Sequence, residues 1–439
     1  MRRRGLAGIA IGLVCGLSLM ACGGKPGTEP VPGSASALPS PSAGSVSPTS
    51  PDSPTGAVSP TSTVSPSNPA TPTSTVKPTT MPTPSSTQQP TNPTTQCQSL
   101  AASLSLREQV GQLLMIAVPS TGVGSAAAKA VNDSRAGAVI LLGNTTAGQS
   151  RILAVTKQAR DAARTPKGIK ILLAADQEGG MVQRLQGKGF DRIPSAQEQA
   201  QESAAELRRD ATRWGKQLGR AGINANLAPV ADVVPKDMQS VNQPIGLLRR
   251  GYGSNPTKVA EHVTAFVAGM DAAGVATSVK HFPGLGRVRG NTDFVARVVD
   301  DTTTRHDKAL KPFAAGVDAG TDMVMVSSAC YTEIDTKRRA AFSPVVIKGM
   351  IRGDLGFEGV VISDDLAAAA MRDLAPGTRL LRFLKAGGDL AIVADPSIVA
   401  SMADTVVAEA KKDDALAAAI ETAAARVLQL KDRRGLASC

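Results

Sequence analysis

The chain predicts an α/β fold, a (β/α)8 TIM-type barrel in a single domain over residues 97–439. Three observations carry that reading. Short apolar runs recur eight times, amphipathic stretches of helical period lie between them, and charged residues follow directly on several of the runs. The strand-like runs are Leu113–Val118, Ala138–Leu142, Ile169–Ala175 and Ala225–Val230, then Ala276–Lys280, Met323–Ser327, Val360–Ser363 and Leu390–Val393. The helical stretches include Ala196–Leu218, Pro256–Ala272, Arg305–Ala319 and Pro344–Asp354. Ser105-Leu-Arg-Glu108 has the form of a capping box and opens a helix over Leu106–Leu114, whose end overlaps the first strand. Leu366 to Met371 reads as a further helix, capped by one of the preceding aspartates. An open doubly wound sheet is the competing arrangement, because periodicity counts elements without ordering them.

The residues before the domain speak of export. Met1-Arg-Arg-Arg4 precedes an apolar run from Gly5 to Ala21, too short to span a membrane as a mature helix. Leu19-Met-Ala-Cys22 fits a bacterial lipobox, so residues 1–21 are expected to be a leader and Cys22 the lipidation site. The stretch 22–96 is almost wholly Pro, Ser and Thr in its long middle and cannot bury a core, which predicts an extended, lipid-anchored tether. The expected location is therefore extracytoplasmic, on the cell membrane. Of five cysteines, Cys97, Cys330 and Cys439 fall to the domain. A bridge between Cys97 and Cys439 would tie its two ends, though three pairings are open. The net charge of +11 suits anionic wall polymers or lipid, and export argues against nucleic acid as a partner. No Cys/His cluster has metal-ligand spacing, and neither a metal nor a cofactor is expected; a monomer is favoured.

A barrel demands that polar residues after each strand converge on one rim. Those residues are Asp176-Gln-Glu178, Asp232, Lys280-His281 and Asp364-Asp365. On an extended strand, neighbours point opposite ways, so only one of Asp364 and Asp365 is expected to face the pocket. Gly179-Gly180 lacks the rest of a phosphate-binding fingerprint. Hydrogen-bonding groups of both signs around a cleft suit a neutral polyhydroxylated ligand such as a sugar. His262 and His306 read as surface residues, Asp232 as structural, and Cys330 and Tyr331 as candidates for the rim.

These residues resemble the family 3 glycoside hydrolases, in their single-domain β-N-acetylhexosaminidase branch. The markers are Val110-Gly-Gln112, Asp176-Gln-Glu-Gly-Gly180 with Val182-Gln-Arg184, and Gly222-Ile-Asn-Ala-Asn226 running to Ala228-Pro-Val-Ala-Asp232. Lys280-His-Phe-Pro-Gly284, Leu310-Lys-Pro-Phe313, Leu355-Gly-Phe357 and Ser363-Asp-Asp-Leu366 follow in order. The resemblance implies retaining hydrolysis of a terminal β-linked N-acetylglucosamine, with Asp364 as the nucleophile of a covalent glycosyl-enzyme. It also implies that Asp176, Arg184, Lys280 and His281 hold the sugar hydroxyls, joined by an Arg after Pro244-Ile-Gly246, for which Arg250 is chosen over Arg249.

One part of the pattern is broken. That branch carries an Asp–His pair as acid/base in the loop after Lys-His-Phe-Pro-Gly. Here the loop reads Leu285-Gly-Arg-Val-Arg-Gly-Asn-Thr-Asp293, and none of the chain's three histidines lies in it. Either Asp293 serves as acid/base itself, or the loop is idle and the chain is a wall-glycan binding lipoprotein. The expected function is release of N-acetylglucosamine from peptidoglycan-derived glycans. A β-glucosidase or xylosidase of the same family is the alternative among enzymes, and water or phosphate stays open as the acceptor.

Overall fold

The computed structural model describes residues 93–439, which belong to one compact unit. The leader, Cys22 and nearly all of the expected tether lie outside the described residues. The first described helix, Pro93–Ala102, starts inside the stretch expected to be tether.

All eight expected strands form, each within a few residues of its predicted bounds. They are β1 (Leu114–Pro119), β2 (Ala138–Leu142), β3 (Leu172–Ala175), β4 (Ala225–Asn226), β5 (Ala276–Phe282), β6 (Met323–Val326), β7 (Val360–Ser363) and β8 (Ala391–Val393). They pair in parallel in the order β7-β6-β5-β4-β3-β2-β1-β8. A bridge between Ile362 and Leu390 joins the two ends, so the sheet is a nearly closed barrel and not an open one. Their burial on both faces explains the unbroken apolar runs: residues facing the helices and residues facing the barrel axis are alike removed from water. Ile140, Met325 and Ile392, from β2, β6 and β8, close the floor of the cleft at the strands' C-terminal ends.

Local chemistry moves several helix boundaries. Ser105 caps Leu106–Gln112 in a reciprocal box with Glu108, and the chain passes at Leu113 into β1. The stretch expected as one helix over Ala196–Leu218 is two, Ala196–Gln199 and Ala204–Arg220. Each opens on its own capping box, Ser195 with Glu198 and Ser203 with Glu206, and the latter restarts the chain between them. Arg305–Ala319 shortens to a 3-10 turn and the helix Lys311–Asp318, while Val345–Asp354 winds as a π-helix. Leu366–Met371 is not a helix: after Asp365 the chain turns, with only a 3-10 segment at Ala369–Met371, and the next α-helix is Pro376–Ala386.

Charge at the opposite end of the barrel is structural. Asp389, just before β8, is fully buried and takes Arg352, Arg426 and the Val361 amide; Asp322, just before β6, takes Arg434 at 2.6 Å. The long helix Asp414–Arg433 supplies Arg426, and Cys97 and Cys439 form a disulfide across 342 residues of sequence, leaving Cys330 free. Closing so long a loop removes much freedom from the unfolded chain.

Lys431 on the same helix is fully buried, and its Nζ donates to Gln112 Oε1 at 2.6 Å with no carboxylate as partner. Burial pushes its pKa down to about 7. The unfolded chain keeps that proton up to the ordinary lysine range, so the unfolded state binds more protons from about pH 7 to about pH 10 and stability rises with pH across that window. Lys431→Met should abolish this rise, as read by melting temperatures at about pH 6.5, 8 and 9.5.

Candidate active site

The loop after β3 shows why its sequence is Asp-Gln-Glu-Gly-Gly. The chain reverses into a hairpin of Gln177–Gly179 with Val182–Gln183. Gly179 and Gly180 have φ of 116° and 54°, and a Cβ on Gly179 would stand 2.1 Å from the Pro194 carbonyl oxygen. Asp176 and Glu178, two apart on an extended segment, share a side. Both accept a hydrogen bond from Lys280 Nζ at 2.6 Å.

Glu178 lies beneath the cleft as a hub. It receives Arg250 through two bonds of 2.8 Å, from Nε to Oε2 and from Nη2 to Oε1, while Arg250 Nη1 donates to the Pro244 carbonyl at 2.8 Å. Burial opposes ionisation of Glu178, but Arg250 and Lys280 outweigh it and hold the carboxyl far below the usual carboxylate range. Lys280 is 1% exposed; burial favours its neutral form, yet Asp176 and Glu178 raise its pKa above the ordinary lysine value. Arg249 has a left-handed φ of 54° and turns outward to Gln197 and Glu198, so Arg250 is the arginine that reaches the cleft.

His281 is oriented from behind. Its Nδ1 donates to Asp232 Oδ2 at 2.7 Å, and the other oxygen of that fully buried carboxylate accepts the amides of His281 and Leu285. Nε2 is thereby left facing Arg250 Nη2 at 3.4 Å. Arg184 does not pair with Asp176 through its side chain; Nη1 donates instead to Asn144 Oδ1 at 3.0 Å.

Across the barrel, Asp364 and Asp365 both line the cleft, against the expectation that only one would. The chain turns as β7 ends, so strict strand alternation no longer applies to them. Asp365 Oδ1 accepts the amides of Ala367 and Ala394 at 2.8 Å each, and burial pushes its pKa up to about 6. Its bonds fasten the end of β7 to the chain after β8. Asp364 accepts only the amide of Asp365 among these groups, leaving its second oxygen for the cleft.

The loop after β5 brings Asp293 to the same space. Buried Asn291 accepts the Asp293 amide at 2.9 Å, and the carbonyls of Asp293 and Thr292 accept the amides of Ala369 and Ala370. Although Asp293 is accessible from the cleft mouth, its carboxyl pKa is raised, first by partial burial and then by the negative charge of Asp364. Asp176, Arg184, Arg250, Lys280, His281, Asp293 and Asp364 thus all line one cleft of about 910 Å³.

The model of the glycosyl hydrolase family 3 N-terminal domain matches residues 105–430. The chain belongs to this family. It is a glycosidase with relatives of known name. A β-hexosaminidase of Xylella fastidiosa is 33% identical over 296 residues, 65% of this chain and 84% of its own. The crystal structure of a β-N-acetylhexosaminidase from Beutenbergia cavernae is 45% identical with a TM-score of 0.74, covering 75% of this chain and 99% of that one. A family 3 β-N-acetylglucosaminidase from a Paenibacillus species is 28% identical with a TM-score of 0.68, covering 76% and 63%.

Several expectations fall outside the glycosidase cleft. Cys330 and Tyr331 do not line it; Tyr331 is buried and its hydroxyl donates to the Gly284 carbonyl, supporting the loop from below. His262 is buried, stacked on Tyr252 and bonded to the carbonyls of Lys258 and Glu202, while His306 is exposed. Glu178, expected on the rim without a role of its own, lies beneath the cleft, and Asn144 went unassigned from sequence. The two-residue spacing from Asp176 could have revealed Glu178; Asn144 comes from a separate strand end and left no local signal.

Glu178→Gln should leave Arg250 and Lys280 crowded together with half their counter-charge. The expected result is about 3–5 kcal/mol of lost stability together with a KM raised at least tenfold, checked by denaturant unfolding and steady-state kinetics.

Proposed function

We propose that this family 3 glycosidase is a retaining β-N-acetylhexosaminidase that releases terminal β-linked N-acetylglucosamine from cell-wall glycan fragments. Asp364 Oδ attacks the anomeric carbon while the bond from that carbon to the leaving oxygen breaks. Asp293 gives its proton to that oxygen. The resulting Asp293 carboxylate then takes a proton from water, whose oxygen attacks the anomeric carbon and frees Asp364. Asp176, Lys280, His281, Arg250 and Arg184 hold the sugar hydroxyls from the opposite side.

The observation that carries this reading is the position of Asp293. It faces the same cleft as Asp364, in a loop hydrogen-bonded to the segment after Asp364, with a carboxyl whose pKa is raised. A proton donor must still be protonated at the working pH, which a raised pKa provides. The absence of an imidazole from the loop favours a second reading, a weakly catalytic wall-glycan binder. The wall substrate and attachment to the membrane through a lipid on Cys22 are supported by the sequence of the leader and tether.

Asp293→Asn should slow turnover of an unactivated disaccharide by about 10²–10⁴ and that of an activated aryl β-N-acetylglucosaminide far less. In the native protein the donor is lost as pH rises through the raised pKa, so the alkaline limb of kcat/KM should flatten in the variant. Equal losses on both substrates would point to the idle loop.

A further inference from the structure

His262 lies outside the cleft, yet its two ring nitrogens meet partners of one kind. It sits on the helix Pro256–Asp271 and is 5% exposed. Nδ1 is 2.8 Å from the Lys258 carbonyl oxygen, and Nε2 is 3.1 Å from the carbonyl oxygen of Glu202. A carbonyl only accepts, and a neutral imidazole has a single N–H to give. Either neutral tautomer would press a ring lone pair against a carbonyl oxygen in a site closed to water. Both bonds form together only when the ring is an imidazolium.

The surroundings answer that charge. Glu202 stands in the turn before the helix Ala204–Arg220, and its Oε2 is buried with no hydrogen-bond partner among the described residues. Burial raises the Glu202 pKa, and Asp210 and Glu206 raise it further, while His262 and Arg213 oppose them. The charged neighbours on the imidazole's own helix, Lys258 and Glu261, are exposed. Tyr252 covers the imidazole face, with ring centroids 5.4 Å apart and planes 28° apart. An aromatic face attracts a cation held against it.

Tyr252 carries this contact to the cleft. It follows Arg250 by two residues, and its buried hydroxyl donates to Gln199 Oε1 at 3.0 Å. Burial holds the phenol's pKa well above its ordinary value, so it stays a donor. Gln199, fully buried, donates from Nε2 to the carbonyls of Glu178 at 3.0 Å and Pro194 at 2.7 Å. The Arg250–Glu178 pair is thus braced from outside the cleft at both of its members.

We propose that His262 is a buried imidazolium and a positioning residue, which sets the Arg250–Glu178 pair for sugar binding through Tyr252 and Gln199. Loss of its second proton removes one carbonyl bond and the charge against Tyr252, which loosens Tyr252 and Arg250 with it. The positioning role rests on the reading of Arg250 as a group that holds the sugar; the protonation state does not.

The test uses the full chain. With only three histidines, each imidazole can be assigned in heteronuclear spectra from single variants. At about pH 7, His262 should show two protonated ring nitrogens. A neutral tautomer there overturns the proposal. The Kd for N-acetylglucosamine, read by calorimetry without turnover, should rise about five- to tenfold as that second proton is lost. His262→Phe keeps the stack but removes the charge and both donors. At about pH 7 it should raise this Kd, and KM for an aryl β-N-acetylglucosaminide, about five- to tenfold, with kcat changed by less than about twofold. It should also abolish the part of the pH dependence that follows the His262 signal. Tyr252→Phe breaks only the bond to Gln199, and carries the test should His262→Phe not fold. It should weaken binding while His262 keeps both protons. Native affinity in Tyr252→Phe, or an unaltered pH dependence in His262→Phe, overturns the positioning role. Native affinity in Arg250→Gln would instead overturn the reading of Arg250 and leave the imidazolium standing.

Discussion

Glu178 is the constraint on which the cleft depends. Lys280 is buried and Arg250 nearly so, and two cations held on one carboxylate repel each other strongly where water is scarce. One carboxylate between them turns the repulsion into a clamp. Arg250 is gripped at two points, Lys280 at one, and Asp176 takes a second bond from Lys280 at the cleft surface. His281 is fixed in turn by Asp232 below it and Arg250 beside it. Asp176, Glu178, Arg250, Lys280, His281 and Asp232 are therefore one hydrogen-bonded body whose members cannot be moved singly. Such a network is costly to bury when incomplete and rigid when every group is paired.

Around this body the aspartates divide the labour by environment. Asp365 spends an oxygen on two amides and serves to fasten β7 to β8. Asp232 is wholly buried and orients an imidazole. Asp293 sits where burial and a neighbouring negative charge resist its ionisation. Residues of one chemical type thus receive different tasks from solvent access and from the charges beside them. Where the family pattern would supply an imidazole in the loop, this chain has a carboxyl in an environment that raises its pKa.

The two ends of the barrel separate function from stability. At the strands' C-terminal ends the polar groups face an open cleft. At the other end Asp322 and Asp389 bind arginines, Lys431 is sealed against Gln112, and the Cys97–Cys439 bridge ties the first described helix to the last residue. The loops at the cleft are consequently held on strands whose opposite ends are anchored to arginines by buried carboxylates.

How much was legible from residues alone follows from the range of each interaction. The eight strands, the capping box at Ser105 and the polar strand ends could be read because apolar periodicity, capping and strand-end charge are local patterns. They were enough for the barrel, for its rim and for five of its cleft residues, Asp176, Lys280, His281, Asp364 and Asp365, while Arg184, Arg250 and Asp293 needed a resemblance. What only the tertiary structure decided depends on partners far apart in sequence. Glu178 meets Arg250 72 residues away, so its own loop could show its side of the chain but not its partner. His262 is buried because the carbonyl of Glu202, in the turn between two other helices, meets it, and Asp365 shares the cleft because β8 draws the chain into a turn. Sequence determined which segments would be strand, helix and rim, since each segment's own hydrophobic pattern dictates that. Which charge answers which was settled by barrel closure, because pairing energy depends on distance in space and the sequence records only distance along the chain.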